Sequence, residues 1–215
     1  MARRHASFSI DTVIGAVIAC CNYRGMRAMS KFVLHTSPTA QWHALVSEAE
    51  AAARCELNED TASYLVFMLM RFVTRPKSIK NCLALGYLHG LLQRGRLRRQ
   101  NLRDVGDQCL LFAGLFPDHA QHSSLSMTYY VRLGRSAYHA LSSDRADDIF
   151  NQLSRGFIDL MDVLLNMREL DDGRRSLDPL QAHELWLQTG SRHALRIIKE
   201  STGAIPPAQL PQIVH

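Results

Sequence analysis

Several features that would classify a chain quickly are scarce or missing here. No apolar run reaches the roughly 18 to 20 residues that cross a bilayer, which argues against an integral helical membrane protein. The five cysteines, Cys20, Cys21, Cys55, Cys82 and Cys109, include no Cys-x-x-Cys pair. An odd, scattered set fits small buried hydrophobes in a reducing compartment, not a disulfide framework, and the last three fall in helical patterns. Neither Gly-x-x-x-x-Gly-Lys-Ser/Thr nor Gly-x-Gly-x-x-Gly occurs, so the usual phosphate cradles are absent. There is no Gly-x-Ser-x-Gly elbow for a nucleophilic serine. No segment alternates apolar and polar residues between hairpin turns, and no repeat is visible.

Lysine is also scarce: of 25 basic residues, 21 are arginine and four are lysine. The formal net charge of +5 is uneven. Residues 1–28 carry Arg3, Arg4, Arg24 and Arg27 against Asp11 alone. The remainder holds 21 basic and 19 acidic residues, so bulk charge says little about nucleic acid.

What is present is helical periodicity over a chain of 215 residues that is 47% hydrophobic, enough for one good core. The expected fold is all-α, a single-domain bundle of about seven helices over 29–202, with an extended tail at 203–215. Ser37-Pro38 opens the first helix through Trp42, Leu45, Val46 and Ala49. Asn58 caps the second, with Glu59 and Asp60 in its first turn. Its apolar set from Tyr64 to Phe72 covers most of the circumference and predicts a central helix. A third spans 77–92, and Arg94 to Arg99 is expected as a turn or frayed end. The fourth (Leu102 to Phe116) and fifth (Met127 to Leu141) meet at Phe116-Pro117. A sixth runs from Asp147-Asp148 to about Asp172, and Asp178-Pro179 opens a seventh. Gly190-Ser191 breaks that helix, leaving a last turn or two from Ala194 to Ile198.

Residues 1–28 resemble an export signal, with Val17-Ile18-Ala19-Cys20 matching a lipoprotein lipobox. Asp11 interrupts the apolar segment, however, and translation from Met26 or Met29 explains the region better. The expected location is cytoplasmic, with the Cys20 signal as the alternative.

The chemical candidates lie mainly between residues 94 and 141. Asp104 and Asp107 stand three apart on one helix flank, where they could serve as metal ligands with His119 and His122. Glu-x-x-His, which helical carboxylate bundles use to hold two irons, is absent. A partly buried acid bonded to a tyrosine, an arginine or a helix end is the simpler expectation. No metal, cofactor or catalytic residue is assigned. Gly106, Ala113 and Gly114 on the fourth helix, with Gly134 and Ala137 on the fifth, predict close helix contact offsetting the cost of mid-helix glycine. Tyr129, Tyr130 or Tyr138 is expected to reach Asp104 or Asp107. Asp159 and Asp162 have the same spacing and are expected on a solvated flank. Arg94, Arg96, Arg98, Arg99 and Arg103 form a basic patch that could contact phosphates, yet two acids follow and no aromatic is interleaved.

The segments LRDVGDQCLLFAGLFP and TYYVRLGRSAYHALS resemble a pattern in a family of bacterial all-α proteins without an assigned activity. The shared steps are an arginine followed by Gly-Asp, then Leu-Phe, Gly-x-Phe, a tyrosine pair and Gly-x-x-Ala-Tyr. The likeness covers about 40 residues closely, and it implies that Asp107, Gly114, Tyr130, Gly134 and Tyr138 form one unit. The leading functional expectation is a non-enzymatic interaction or regulatory protein with a protein partner or a second copy. The alternatives are a helical metal-binding protein or enzyme using Asp104 and Asp107, and a nucleic-acid-associated regulator using Arg94 to Arg103.

Overall fold

The computed structural model describes residues 38–74, 82–117, 125–142, 148–172 and 175–203. Within them nine helices follow one another, with no strand among the described residues. They are α1 (Pro38–Ala53), α2 (Glu59–Thr74), α3 (Leu83–Leu92), α4 (Gly95–Gly114), α5 (Met127–His139), α6 (Ile149–Arg155), α7 (Phe157–Asp172), α8 (Pro179–Thr189) and α9 (Arg192–Thr202). One apolar cluster draws residues from all nine. Residues 1–37, with the lipobox-like stretch, and the tail from 204 lie outside the described residues.

The start signals behave as their chemistry dictates. The Asn58 carboxamide oxygen accepts the Thr61 amide at 2.8 Å, satisfying one orphan donor of α2. Asp178 accepts the amides of Leu180 and Gln181, and Gln181 returns a bond to the Asp178 amide, a reciprocal cap ahead of Pro179. Gly190 ends α8 in the left-handed region at φ 74°, where a side chain would be strained.

Among the described residues two more helices form than the seven expected. The expected sixth helix divides at Gly156. The Ser154 carbonyl there accepts Arg135 Nε at 3.2 Å, and its hydroxyl donates to the Arg135 carbonyl at 3.1 Å. That side-chain competition, beside a glycine with weak helix preference, separates α6 from α7. The expected closing turn is instead the 11-residue α9, capped by Ser191, whose Oγ accepts the Ala194 amide at 3.0 Å.

Residues 94–99, expected as a frayed end, are the N-cap and first turns of α4. Gly95, at φ 59°, turns the chain, after which leucine, arginine, glutamine and asparagine continue without a breaker. The enclosed helix is α7, not α2. Leu160, Met161, Val163, Leu164 and Leu165 are all fully buried, whereas Phe67 of α2 is 58% exposed. Cys55 follows α1 and Cys82 precedes α3, so of the described cysteines only Cys109 is helical.

The predicted meeting of α4 and α5 is the most extensive helix pairing among the described residues. A Cβ on Gly106 would stand 2.5 Å from the Tyr138 ring, and one on Gly134 would stand 2.8 Å from Cys109 Cβ. Gly134 also lies under Phe157, and Gly114 under Leu164, so these glycines admit side chains of α7 as well. The α4–α5 pairing is close because side chains at Gly106 and Gly134 are missing, while Gly114, expected at the same contact, instead makes room for α7.

Candidate functional site

The C-terminal half of α4 is buried without interruption from Val105 to Gly114, and Asp107 lies inside that stretch at 3% exposure. An ionised carboxylate there needs partners to replace water. Asp107 Oδ1 accepts two phenols, from Tyr64 of α2 at 2.6 Å and from Tyr138 of α5 at 2.7 Å. Its Oδ2 accepts the Arg71 guanidinium, so α2, α4 and α5 converge on one side chain. The two tyrosine rings meet edge to face at 6.3 Å. Gly106 makes room for the Tyr138 ring against the backbone of α4.

Burial pushes the Tyr64 phenol up to about 12, against the lowering influence of Arg71 and Arg103. Tyr138, fully buried, is raised well above the ordinary tyrosine value, first by burial and then by Tyr64. Both phenols therefore remain protonated donors near neutral pH. They suit a structural carboxylate better than acid–base chemistry, which needs a group able to exchange its proton.

Asp104 does not join this cluster. It is 3.7 Å from Arg103 Nη2 and makes no bond to Asp107's partners, although it lines with Asp107, Arg71 and Phe72 a cleft of about 100 Å3. Ligand pockets run from roughly 300 Å3 upward, so this cleft suits a few waters. Tyr130 also lies apart from Asp107: its ring centroid is 5.4 Å from that of Phe112 and 5.4 Å from that of Tyr129. Of the four residues proposed as a polar cluster, the structure joins Asp107 and Tyr138. Tyr64 and Arg71 complete the site, and neither carried a sequence signal beyond its place in an apolar helix.

His119 and His122, the remaining candidate ligands, lie outside the described residues. No group of three or more His, Cys, Asp or Glu side chains able to hold a metal occurs among the described residues. Burial also raises the thiols of Cys109, far above its ordinary value, and Cys55, to about 11, which leaves both thiols protonated near neutral pH and poor nucleophiles.

A second buried carboxylate overturns the expectation of a solvated flank. Asp162 of α7 is 2% exposed and faces the start of α9. Its Oδ1 accepts the Ser191 hydroxyl at 2.6 Å; its Oδ2 accepts the Arg192 amide at 2.8 Å and the His193 amide at 3.3 Å. Burial raises its pKa, opposed by those hydrogen bonds and by His193. Around it, Glu169 accepts the Ser176 amide at 2.8 Å and Arg196 Nη2 at 2.6 Å. His193 Nε2 stands 3.2 Å from Glu169 Oε1, close for charge but off the hydrogen-bond direction. Arg196 Nη2 also donates to Asn166 Oδ1 at 3.1 Å and stands 3.1 Å from His193 Nδ1. Burial alone would raise Glu169, but His193, the Ser176 amide and Arg196 outweigh it and hold the carboxyl down to about 2.

The basic patch divides by direction. Arg98 donates to the Ala140 carbonyl at 2.9 Å, tying α4 to the end of α5. Arg103 turns toward Asp104. Arg96 and Arg99, with Arg98, Ala140 and Leu141, border an open depression of about 520 Å3, while Arg94 is the exposed N-cap of α4. No helix among the described residues is long and apolar enough to cross a membrane. Comparison with protein-family models, curated proteins and solved structures finds no match for this chain.

Proposed function

We propose that the chain is a non-enzymatic helical interaction protein that docks through the corner formed by α3 and α4. The observation carrying this reading is the exposed apolar face of α3. Leu85, Leu88 and Leu92 recur at helical spacing on one side and are 54%, 52% and 83% exposed. Leu97 follows on α4 at 62%. Single exposed leucines are ordinary, but an aligned row with no charged residue in its helix marks a surface that gains by being covered. In contrast, the carboxylates that sequence would offer for chemistry have structural commitments: Asp107 to two tyrosines and an arginine, Asp162 to a helix start.

Sedimentation of the chain in native extract tests this reading. Wild type is expected in a larger assembly or a particulate fraction, and Leu85→Glu/Leu88→Glu/Leu92→Glu is expected to release it without loss of helical circular dichroism. Asp104→Asn should leave the association intact. Loss with Asp104→Asn but retention in the leucine variant would favour a site at Asp104 and Asp107 instead.

A further inference from the structure

Residues 61–103 contain no acidic residue but nine lysines and arginines. The rest of the chain holds 16 basic and 20 acidic residues, so this stretch, with the smaller excess of residues 1–28, carries the positive charge of the molecule. The stretch includes α3, its leucine face and the first turns of α4. Arg75, Lys77 and Lys80 lie outside the described residues and contribute here only as sequence charge. Arg94, Arg96 and Arg99 are exposed, and none pairs with a carboxylate among the described residues.

Any occupant must offer negative charge and accept leucine. A second copy fits poorly, because a parallel two-fold pairing of this face would bring arginine toward arginine and an antiparallel one would offer them only α3, which carries no acid. Nucleic acid would use the arginines and leave the leucines idle, since base stacking calls for aromatics and none stands exposed in this corner. A partner helix could cover the leucines, but unless it were acidic it would leave the arginines idle. An anionic bilayer satisfies both demands: leucines enter the headgroup–acyl boundary while arginines hold lipid phosphates. We propose that the α3–α4 corner binds peripherally to anionic lipid membranes, with Leu85, Leu88, Leu92 and Leu97 inserting and Arg94, Arg96 and Arg99 contacting headgroup phosphates. This rests on the docking reading above and supplies its partner.

Flotation of the full chain with phosphatidylcholine vesicles, with and without phosphatidylglycerol, tests it. Binding is expected only with phosphatidylglycerol and should fall as salt rises, an effect that needs no variant. Arg94→Gln/Arg96→Gln/Arg99→Gln should weaken binding about a hundredfold, at roughly fivefold per arginine. Leu85→Ser/Leu88→Ser/Leu92→Ser should weaken it about tenfold or more. Absence of flotation, or leucine variants that bind as wild type, would overturn the lipid assignment. Should flotation fail while a dimer or other assembly still depends on the leucines, the docking reading survives and only its lipid partner falls. If neither vesicles nor any assembly depends on them, both fall.

Discussion

Asp107 and Asp162 are both carboxylates at 2–3% exposure on apolar helices, and they are satisfied in opposite ways. Asp107 is held by side chains from two other helices, with its arginine at the edge of a cleft. Asp162 is held by the main chain of α9 and the hydroxyl that begins it, at the positive end of a helix dipole. The first arrangement ties α2, α4 and α5 at one point; the second fixes where α9 starts and seats it on α7. A buried acid can thus act as a three-helix knot or as a cap supplied from elsewhere in the chain. Neither role requires catalysis.

The largest break in this comparison is expected from Asp107→Ala. It leaves the Tyr138 hydroxyl without its acceptor in a fully buried place and the Tyr64 hydroxyl nearly so. At about 1 to 3 kcal/mol for each orphaned group, a loss of about 3 kcal/mol is expected from urea unfolding. Arg71 adds little because it is about one-third exposed and can turn to water. A loss under about 1 kcal/mol would mean that the knot does not hold these helices.

Asp162→Ala should cost somewhat less, about 2 kcal/mol, because the Ser191 hydroxyl still caps the Ala194 amide. Amide exchange would show the difference in kind: faster exchange at the start of α9, with α2 and α5 unchanged. Uniform acceleration throughout the bundle would contradict a local cap.

Glu169 sharpens the comparison through pH. Its folded pKa is depressed from 4.5 to about 2, so its stabilisation is complete above the unfolded value and is lost as pH falls from 4.5 toward 2. Glu169→Gln should therefore flatten that part of the acid-unfolding curve. Asp162 has the opposite sign: its raised pKa favours the fold below the ordinary aspartate value, and that contribution declines as pH rises through the folded pKa. Asp162→Asn should accordingly remove a contribution that opposes acid unfolding. A wild-type acid arm in Glu169→Gln would count against the Glu169 network.

The smallest effect belongs to Asp104→Asn. The Arg103 contact at 3.7 Å is partly exposed, so a change within about 0.5 kcal/mol is expected in the same urea measurement. A loss matching that of Asp107→Ala would show that the two acids act together after all.

Much of this was legible in the chain. Glycines 106 and 134 pointed to a close α4–α5 contact, and an acid beside them with a tyrosine on the facing helix pointed to a buried polar link. Tyr138 reaching Asp107 is that link. Tyr64 and Arg71 were not legible, because their distance from Asp107 along the chain is 43 and 36 residues and no periodicity records which helix packs on which. Asp162 misled for a related reason. Its spacing from Asp159 looks like a polar flank, and its partners are one serine hydroxyl and two main-chain amides about 30 residues away, which no spacing records.

Local physics set most helix ends: caps at Asn58 and Asp178, a turn at Gly95, and apolar stripes that exclude strands. These depend on contacts within a few residues, so the sequence alone determines them. Tertiary packing decided which helix is enclosed, which acids are buried and which leucines are left outside. Those outcomes depend on how the nine described helices share one interior. A helix such as α2 can be apolar nearly all round and still show Phe67 to solvent, while α7 takes the centre.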